Sequence, residues 1–383
     1  MTLLSTFSNY YSLTCKRLHV PGAFFHVHQV CYFPLGVTIY DIAERAEVSI
    51  ATVSRVFNDH PRVSDTTRAR VIAVAEELGY QPHVSAQSLA RRKTHLISAV
   101  IPVMTNYFFV EVLRGLQDRL AQSEYDLLVY TSNALEDVDT QLERALQRGR
   151  AAGVLLFSMP FTEERVQRFE RSRLPIILVD CFHPKFDSVS VNNEMGGYLA
   201  ARHFIEQGRR RIGMVMASGG APALERRQGY ERALREAGLP VDESLIEASV
   251  EVEEHGYTEQ AGYDAMHTLL QLSPQPDAVF ATSDVQALGA MRAIKEAGMN
   301  VPDDVAVIGF DDIVVSKYVG LSTLRQPMRE MGELAVEKFL NRMHHPDHPV
   351  SHTVFSPQLV LRNTSGSGHP PVITNGAPEE GNV

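Results

Sequence analysis

The chain has 383 residues, 44% of them hydrophobic and 21% charged, enough material for two to three packed domains and no low-complexity bulk. A formal net charge of −10 argues against indiscriminate nucleic-acid binding by the molecule as a whole. No apolar run reaches the roughly 20 residues that a membrane span needs. Three cysteines, Cys15, Cys31 and Cys181, are an odd number at unrelated spacings, which excludes a disulfide framework or a cysteine metal site and fits a reducing cytoplasm.

Residues 1–36 are rich in Tyr, Phe and His but lack periodicity, a basic start and a sustained apolar centre, so they do not read as a signal peptide. We expect them to be an over-extended start, because Val37 directly precedes Thr38 and valine codons can serve as starts; a genuine flexible arm is the other reading. A peptide from residues 1–36 in the native protein would overturn the first.

Thr38 to Asn58 reads TIYDIAERAEVSIATVSRVFN, two short helical patterns around a tight turn. Thr38 is a good N-cap with Asp41 three residues on. Ile42, Ala43 and Ala46 share one face of the first helix; Ser49 caps the second, whose buried stripe is Val53, Val56 and Phe57. The opposite face of the second helix carries Ile50, Ala51, Thr52, Ser54 and Arg55, groups of the kind that reach base edges in a major groove. On pattern alone, an ordinary helical hairpin competes evenly with a DNA-reading helix-turn-helix. A third helix follows, capped by Ser64, with Val71, Ile72, Ala75 and Leu78 as its core face and Gly79 at a left-handed stop. The segment 37–93 holds eight basic and seven acidic residues, so the excess acid lies beyond Thr94. A near-neutral head with an acidic body suits a DNA reader whose body stays off the phosphates. Residues 84–90 form a helical pattern too short to be stable alone.

From His95 the period changes. Strands at 96–102, 126–131, 153–157 and 175–180 alternate with helices at about 108–123, 138–148 and 162–171. A second series starts near Asn192, with strands at 211–216, 246–250, 278–281 and 305–310 and helices at about 194–207, 223–237, 257–271 and 284–297. Continuous apolar strands separated by helices predict parallel sheets covered on both faces, in two similar halves. The expected fold class is therefore a small all-α helix-turn-helix head plus an α/β body of two parallel-sheet halves. The tail from Thr364 is rich in Gly, Pro and Asn and reads as disordered.

The words Thr38-x-x-Asp41-Ile42-Ala43, Val48-Ser49-x-x-Thr52-Val53-Ser54-Arg55-Val56-x-Asn58, Val63-Ser64, Thr67-Arg68, Gly79-Tyr80-x-Pro82 and Ala86-x-x-Leu89 closely resemble the lactose/galactose repressor (LacI/GalR) family. The resemblance runs from about Val37 to Asn363 and includes Ile308-Gly309-Phe310-Asp311-Asp312 and Thr323-Leu324-Arg325-Gln326-Pro327. It implies a cytoplasmic, nucleoid-associated homodimer on pseudo-palindromic double-stranded operator DNA, a repressor controlled by a small effector, with no membrane partner. It implies that Ile50, Ala51 and Arg55 face base edges, Arg55 reading a guanine, and that Tyr40, Ser49, Thr52 and Asn58 hold phosphates, with Thr38 and Ser54 beside them. Leu89, next to Ala90, matches the family's hinge-helix leucine that wedges into the minor groove. Two departures stand out. Glu47 occupies a turn position where the family often has Gly, and His83 stands where Asn is usual. The implied domains are an extension at 1–36, the head at 37–80, a hinge at 81–94, a two-lobed effector and dimerisation body at 95–363 and the tail at 364–383.

The two halves resemble periplasmic sugar-binding proteins, whose ligand lies at strand carboxyl ends in the cleft. Candidate effector residues are Tyr107 and Phe108 after the first strand, Asp180 ending the fourth, and Ser283 after strand 278–281. Arg226, Tyr257 and Asp311 match family cleft positions. One guanidinium, two carboxylates and aromatic faces suit a polyhydroxylated ligand; a purine would also stack. No nucleophile–base–orienter set, metal spacing or phosphate loop supports catalysis, and no cofactor is expected. A transport-type binding protein and a sugar-active enzyme with an appended head are the competing readings; the head and the missing signal peptide argue against the first, and turnover by the purified protein, which we do not expect, would reveal the second.

Overall fold

The computed structural model describes residues 37–58, 60–80, 94–102, 106–131, 138–249 and 256–366. The expectations for 1–36, for the hinge with His83, Leu89 and Ala90, and for 367–383 lie outside the described residues. The chain divides into a head and a body, with the division at His83.

The head is three helices: α1 (Ile39–Arg45), α2 (Ile50–Phe57) and α3 (Asp65–Glu77). Ile42, Ala43, Ala46, Val53, Val56, Val71 and Ala75 form its buried core. Ile72 was expected in that core but is 41% exposed. Val71 and Ala75, four residues apart, take the inward stripe, with half-buried Val74 and Leu78 beside them, and Ile72 falls outside it. Phe57 rests on Tyr80, ring centroids 5.4 Å apart. Gly79 ends the third helix at φ +66°, and the turn between the first two contains Glu47 at φ +52°.

The body has two sheets, each covered on both faces. Sheet one comprises β1 (Leu96–Ile101), β2 (Asp126–Thr131), β3 (Gly153–Phe157), β4 (Ile176–Val179), β5 (Asp187–Val191) and β11 (His352–Phe355), in the order β11-β5-β4-β3-β1-β2, all parallel. Alternate residues feed opposite cores. Ile97, Ala99, Leu155, Phe157, Ile177 and Val179 pack under α4 (Tyr107–Leu120) and α12 (Met328–His344). Val100, Val154, Leu156, Ile176 and Leu178 pack under α5 (Val138–Ala145) and α6 (Glu163–Ser172). This double burial is why the strands read as continuous apolar runs.

Sheet two comprises β6 (Ile212–Met216), β7 (Ile246–Ala248), β8 (Ala278–Ala281), β9 (Ala306–Asp311), β10 (Ser322–Arg325) and β12 (Gln358–Val360), in the order β12-β10-β9-β8-β6-β7. Only β12 runs antiparallel, against β10. Helices α7 (Asn193–Glu206) and α8 (Ala221–Glu236) cover one face; α9 (Glu259–Leu269) and α10 (Asp284–Glu296) cover the other. A short α11 (Val314–Val319) precedes β10.

The lobes are not two consecutive halves of the sequence. After β10 the chain returns to the first lobe for α12 and β11, then comes back for β12. Three crossovers therefore join the lobes, near residues 192, 326 and 356. Two of them are tied together where Asn192 N–H donates to the Phe355 carbonyl at 2.8 Å. The expected tail also starts too early. Thr364 and Ser365 are buried, and the Thr364 hydroxyl donates to the Val307 carbonyl at 2.8 Å while accepting from Ser322 N–H at 2.9 Å. Pattern reading missed this because the anchoring bonds come from small polar side chains, not apolar ones.

Three helix pairs meet backbone to backbone through glycine. Added Cβ atoms would collide at Gly197 with the Arg226 carbonyl and at Gly229 with the Glu194 carbonyl. The same reciprocal contact joins Gly262 with Gln286 and Gly289 with Glu259, and again Gly115 with Arg329 and Gly332 with Val112. Ion pairs flank each contact: Arg232–Glu194 at 2.7 Å, Arg292–Glu259 at 2.9 Å and Arg329–Asp118 at 2.7 Å.

Two stability outcomes follow from these contacts. Glu47→Gly should relieve left-handed strain of up to about 1 kcal/mol and raise the head's transition in calorimetry; a lowered transition would show that Glu47 gains more there than its backbone costs. Gly197→Ala should destabilise the body by about 1–3 kcal/mol through overpacking, and an unchanged urea midpoint would show that the helices can separate freely.

Candidate functional site

In the head, the second helix presents the expected face. Ile50, Ala51 and Arg55 are exposed, and Thr52, Ser54 and Asn58 are half-buried. Ser49 caps this helix, accepting from Thr52 N–H at 3.1 Å, and its hydroxyl meets that of Thr52 at 2.9 Å. Asn58 closes it, donating through Nδ2 to the Ser54 carbonyl at 2.8 Å. Thr38 donates to the Asp41 carboxylate from its backbone N–H and its hydroxyl, at 2.7 and 2.6 Å. These bonds hold Asp41 below its ordinary carboxylate range. Tyr40 is exposed on the first helix. Arg45 is paired with Glu77 at 2.8 Å, and Arg68 donates to the Val56 and His60 carbonyls. The Arg55 guanidinium has no partner among the described residues, so it stands ready for an external acceptor.

In the body, the strand ends of the two sheets enclose a cavity of about 370 Å³ between the lobes. Of the seven expected effector residues, Phe108, Asp180, Arg226, Tyr257 and Asp311 line it. Tyr107 and Ser283 do not. Tyr107 opens α4 with its ring turned out, 46% exposed, while its neighbours Asn106 and Phe108 face the cavity. Ser283 is the N-cap of α10, accepting from Gln286 N–H at 3.2 Å. Its place at a helix start fixes its hydroxyl on the backbone instead of the cleft.

Arg226 is 4% exposed. Its guanidinium lies 3.5 Å over the Phe310 ring, Nε donates to Asn193 Oδ1 at 2.9 Å and Nη1 donates to the Thr282 carbonyl. Neither Asp180 nor Asp311 is within ion-pair distance of it among the described residues, and Nη2 has no partner there. The same Thr282 holds a second wall in place. Its hydroxyl donates to Gln286 Oε1 at 2.7 Å, and Gln286 Nε2 donates to the Gly256 carbonyl at 2.8 Å, one residue before Tyr257. A fully buried amide thus sets where the Tyr257 ring enters.

Asp180 Oδ2 accepts from the Ser158 hydroxyl at 2.6 Å, whereas Oδ1 is buried without a partner among the described residues. Asp311 Oδ1 accepts from Gln326 Nε2 at 2.5 Å, and Gln326 Oε1 is likewise unpartnered. Burial pushes Asp180 up to about 6, against the pull of Ser158 and Arg226. Burial pushes Asp311 up to about 8, against Arg226 and with Asp284 adding to the rise. Burial also lifts Tyr257 and Cys181 to about 12, so the Cys181 thiol is a neutral part of the wall.

Backbone strain gathers at the same place. Ser158 (φ +42°), Asp180 (φ +57°) and Asp311 (φ +125°) are non-glycine residues with positive φ, and each stands at the carboxyl end of its strand. Such positions cost of order 1–3 kcal/mol each and collect at ligand sites. Sequence reasoning missed Ser158, Gln326 and Phe109 in the lining, together with the segment 218–222. The strand-end rule that found Asp180 applies equally to Ser158. Gln326 lies at a lobe crossover that no periodicity announces.

A three-helix head together with a two-lobed body closed around a largely apolar cavity that carries two carboxyls and a guanidinium defines a DNA-binding regulator that answers to a small ligand. Residues 38–83 match the family described as bacterial regulatory proteins, lacI family, and residues 201–365 match a periplasmic binding protein-like domain. The chain is 33% identical over 317 residues to catabolite control protein A of Priestia megaterium, covering 80% of this chain and 94% of that one. It is 34% identical to the ribose operon repressor of Haemophilus influenzae, covering 85% and 98%. Among solved structures, the lac repressor dimer bound to operator and the anti-inducer ONPF matches with a TM-score of 0.73 and 26% identity, over 86% of this chain and 99% of that one. The CelR–cellobiose complex matches at 0.65 with 28% identity, over 86% and 100%. The chain belongs to the LacI family of bacterial regulatory proteins. It is a DNA-binding transcriptional repressor governed by effector binding, in a family of regulators and not of enzymes. Among the described residues no helix is long and apolar enough to cross a membrane.

The buried carboxylate sets a pH signature. Asp180 titrates near 3.8 when unfolded and near 6 in the fold. Below about pH 4 it is neutral in both states and costs nothing; stability falls as pH rises from about 4 to 6, and the whole cost applies above 6. Asp180→Asn should therefore stabilise the ligand-free protein at pH 7.5 by about 1–3 kcal/mol, seen as a raised melting point, with the gain vanishing at pH 4. An equal gain at both pH values would show that charge burial is not its cause.

Proposed function

We propose that this repressor binds a pseudo-palindromic operator as a homodimer in the cytoplasm, and that a sugar or sugar derivative in the interlobe cavity sets its affinity. Ile50, Ala51 and Arg55 face base edges, and Tyr40, Ser49, Thr52 and Asn58 meet phosphates, with Thr38 and Ser54 at the margins. Leu89 and Ala90 contact the minor groove between the half-sites. The observation that carries the reading is the pair of buried oxygens Asp180 Oδ1 and Gln326 Oε1, unpartnered among the described residues, at one cavity with the Arg226 guanidinium and with Phe108 and Tyr257 among its walls. Hydroxyls both donate and accept, so a polyol satisfies carboxylate and guanidinium together, while a ring's apolar face packs on aromatic surface. The relatives named for ribose and cellobiose point the same way, and the similarity to the lac repressor dimer bound to operator supports the assembly. Ligand shifts operator affinity only by its unequal affinity for the two states of the body.

The test is fluorescence anisotropy with duplex from the chain's own upstream region, titrated with a sugar panel and with nucleobases. Arg55→Ala should lose roughly 5- to 150-fold of the preference over random duplex. Arg226→Ala should keep operator binding and lose the effector response. Equal affinity for operator and random duplex would overturn the DNA reading. A response to nucleobases alone would overturn the sugar.

A further inference from the structure

The body carries the chain's excess acid, but unevenly. Its described arginines donate to a carboxylate, an amide oxygen or a main-chain carbonyl in every case but four. The exceptions are Arg144, Arg148, Arg171 and Arg173, all exposed, whose guanidiniums have no partner among the described residues. They gather at one place. Helices α5 and α6 cover the same face of sheet one, and ion pairs set their register. Arg165, near the start of α6, donates to Asp139, near the start of α5, at 3.0 Å, and Arg168 lies 3.6 Å from Glu143 one turn on. The carboxyl ends therefore emerge together, with Arg144 and Arg148 from α5 and the turn after it, and Arg171 and Arg173 from α6 and its cap. This end adjoins the point where the chain enters the body. The Thr94 hydroxyl donates to the Arg150 carbonyl at 3.4 Å, and Ala152 N–H donates to the Leu96 carbonyl at 2.7 Å. The linker sequence before it, 81–93, adds Arg91, Arg92 and Lys93 and no acid.

We propose that this arginine cluster is a second DNA contact, made by the body with duplex phosphates flanking the operator core. The inference rests on the chain holding an operator through its head. Guanidinium matches phosphate in charge and in bidentate geometry. The helix dipoles also favour cations at these ends, but an arginine that serves the fold bonds the last carbonyls, as Arg210 does to Ile205 at the end of α7, at 3.1 Å. None of the four does so. Arg173 stands at φ +56°, where glycine would be less strained. The acids nearest in the chain, Glu143 and Glu170, already face Arg168 and Lys185, at 3.6 and 2.7 Å. Acid elsewhere on the body is screened beyond about 8 Å at physiological salt, so the local sign at this end is positive. The linker spans at most about 45 Å when fully extended, which keeps duplex held by the head within reach of it.

The test is fluorescence anisotropy on the full chain across a salt series, with two duplexes. One is the footprinted core of the chain's own upstream region; the other extends that core by about 10 base pairs, one helical turn, on each side. Each phosphate met adds about 0.9 to the slope of log affinity against log salt. The variant Arg144→Gln/Arg148→Gln/Arg171→Gln/Arg173→Gln, checked for folding by thermal melt, should flatten that slope by at least about 2 on the extended duplex alone. A fourfold rise in salt then costs it roughly 16-fold less affinity than the unaltered chain. Lysine at all four positions should keep the slope, because the charge stays. The preference over random duplex should not move, since phosphate contacts carry no sequence information. Should the fourfold variant fail to fold, Arg148→Gln/Arg171→Gln should show about half the change. Equal slopes for variant and unaltered chain overturn the proposal, and a changed sedimentation mass beside them gives the cluster to a contact between copies of the chain. An equal change on both duplexes overturns it as well, by placing the effect outside the flanks. If the unaltered chain does not prefer its upstream region to random duplex, the operator reading falls, while the slope on random duplex of the extended length still decides the cluster.

Discussion

Glycine pressed on a neighbouring carbonyl is the contact on which the body depends. It occurs twice in each of three helix pairs, and in each it brings two backbones closer than any side chain would allow. The ion pairs alongside are half-exposed, worth little singly in solvent, and serve to fix rotation once the backbones touch. One of these contacts reaches the site directly. Gly197 sits against the carbonyl of Arg226, and Asn193, one turn earlier on the same helix, accepts from the Arg226 guanidinium. The position of the cleft's cation is therefore set by main-chain packing, with its side chain only completing the placement.

The cleft is the reverse case, a place where stability has been given up. Three strand ends carry left-handed backbone, two carboxylates are buried without full compensation, and an amide oxygen has no donor. A ligand that donates to these oxygens offsets part of that cost, which is how binding energy becomes available to shift one arrangement of the lobes toward another. Gln326 is placed for this. It bonds Asp311 at the end of β9 and belongs to the segment that leads into α12 of the other lobe, so a ligand touching it touches a connection as well as a wall.

Much of this was legible in the residues. Both-face burial wrote six of the eight main strands as apolar runs, the edge strands β2 and β7 being only partly covered, and the capping residues Ser49 and Ser64 marked helix starts that the structure keeps. Asp180 was found because strand carboxyl ends line a cleft in this architecture, and Arg226 and Asp311 because they match the family's cleft positions. The misses have physical causes. Strand β5, Asp187–Val191, is polar at alternate positions, and Asp187 is spent on Arg342 and Ser351, so it lacks the apolar signature. β11 and β12 are short edge strands, whose register comes from the partner strand. Ser283 misled because a hydroxyl beside a strand end is equally a helix cap. The pattern Glu-x-x-Gly-Tyr facing Gly-x-x-Arg-x-x-x-Glu, at 194–198 with 229–236 and again at 259–263 with 289–296, is a repeat visible in the letters. It acquires meaning only when the helices are seen to touch.

The return of the chain to its first lobe has a consequence for how the protein is made. Sheet one gains its edge strand and the helix over Ile97, Phe157 and Ile177 from residues 328–355, synthesised after nearly all of the second lobe. During translation at about 5–20 residues per second, the first lobe waits many seconds with one apolar face covered by α4 alone, while the second gathers most of its own strands. Ribosome stalling or proteolysis near the carboxyl end would thus strike hardest at the portion of the molecule translated earliest.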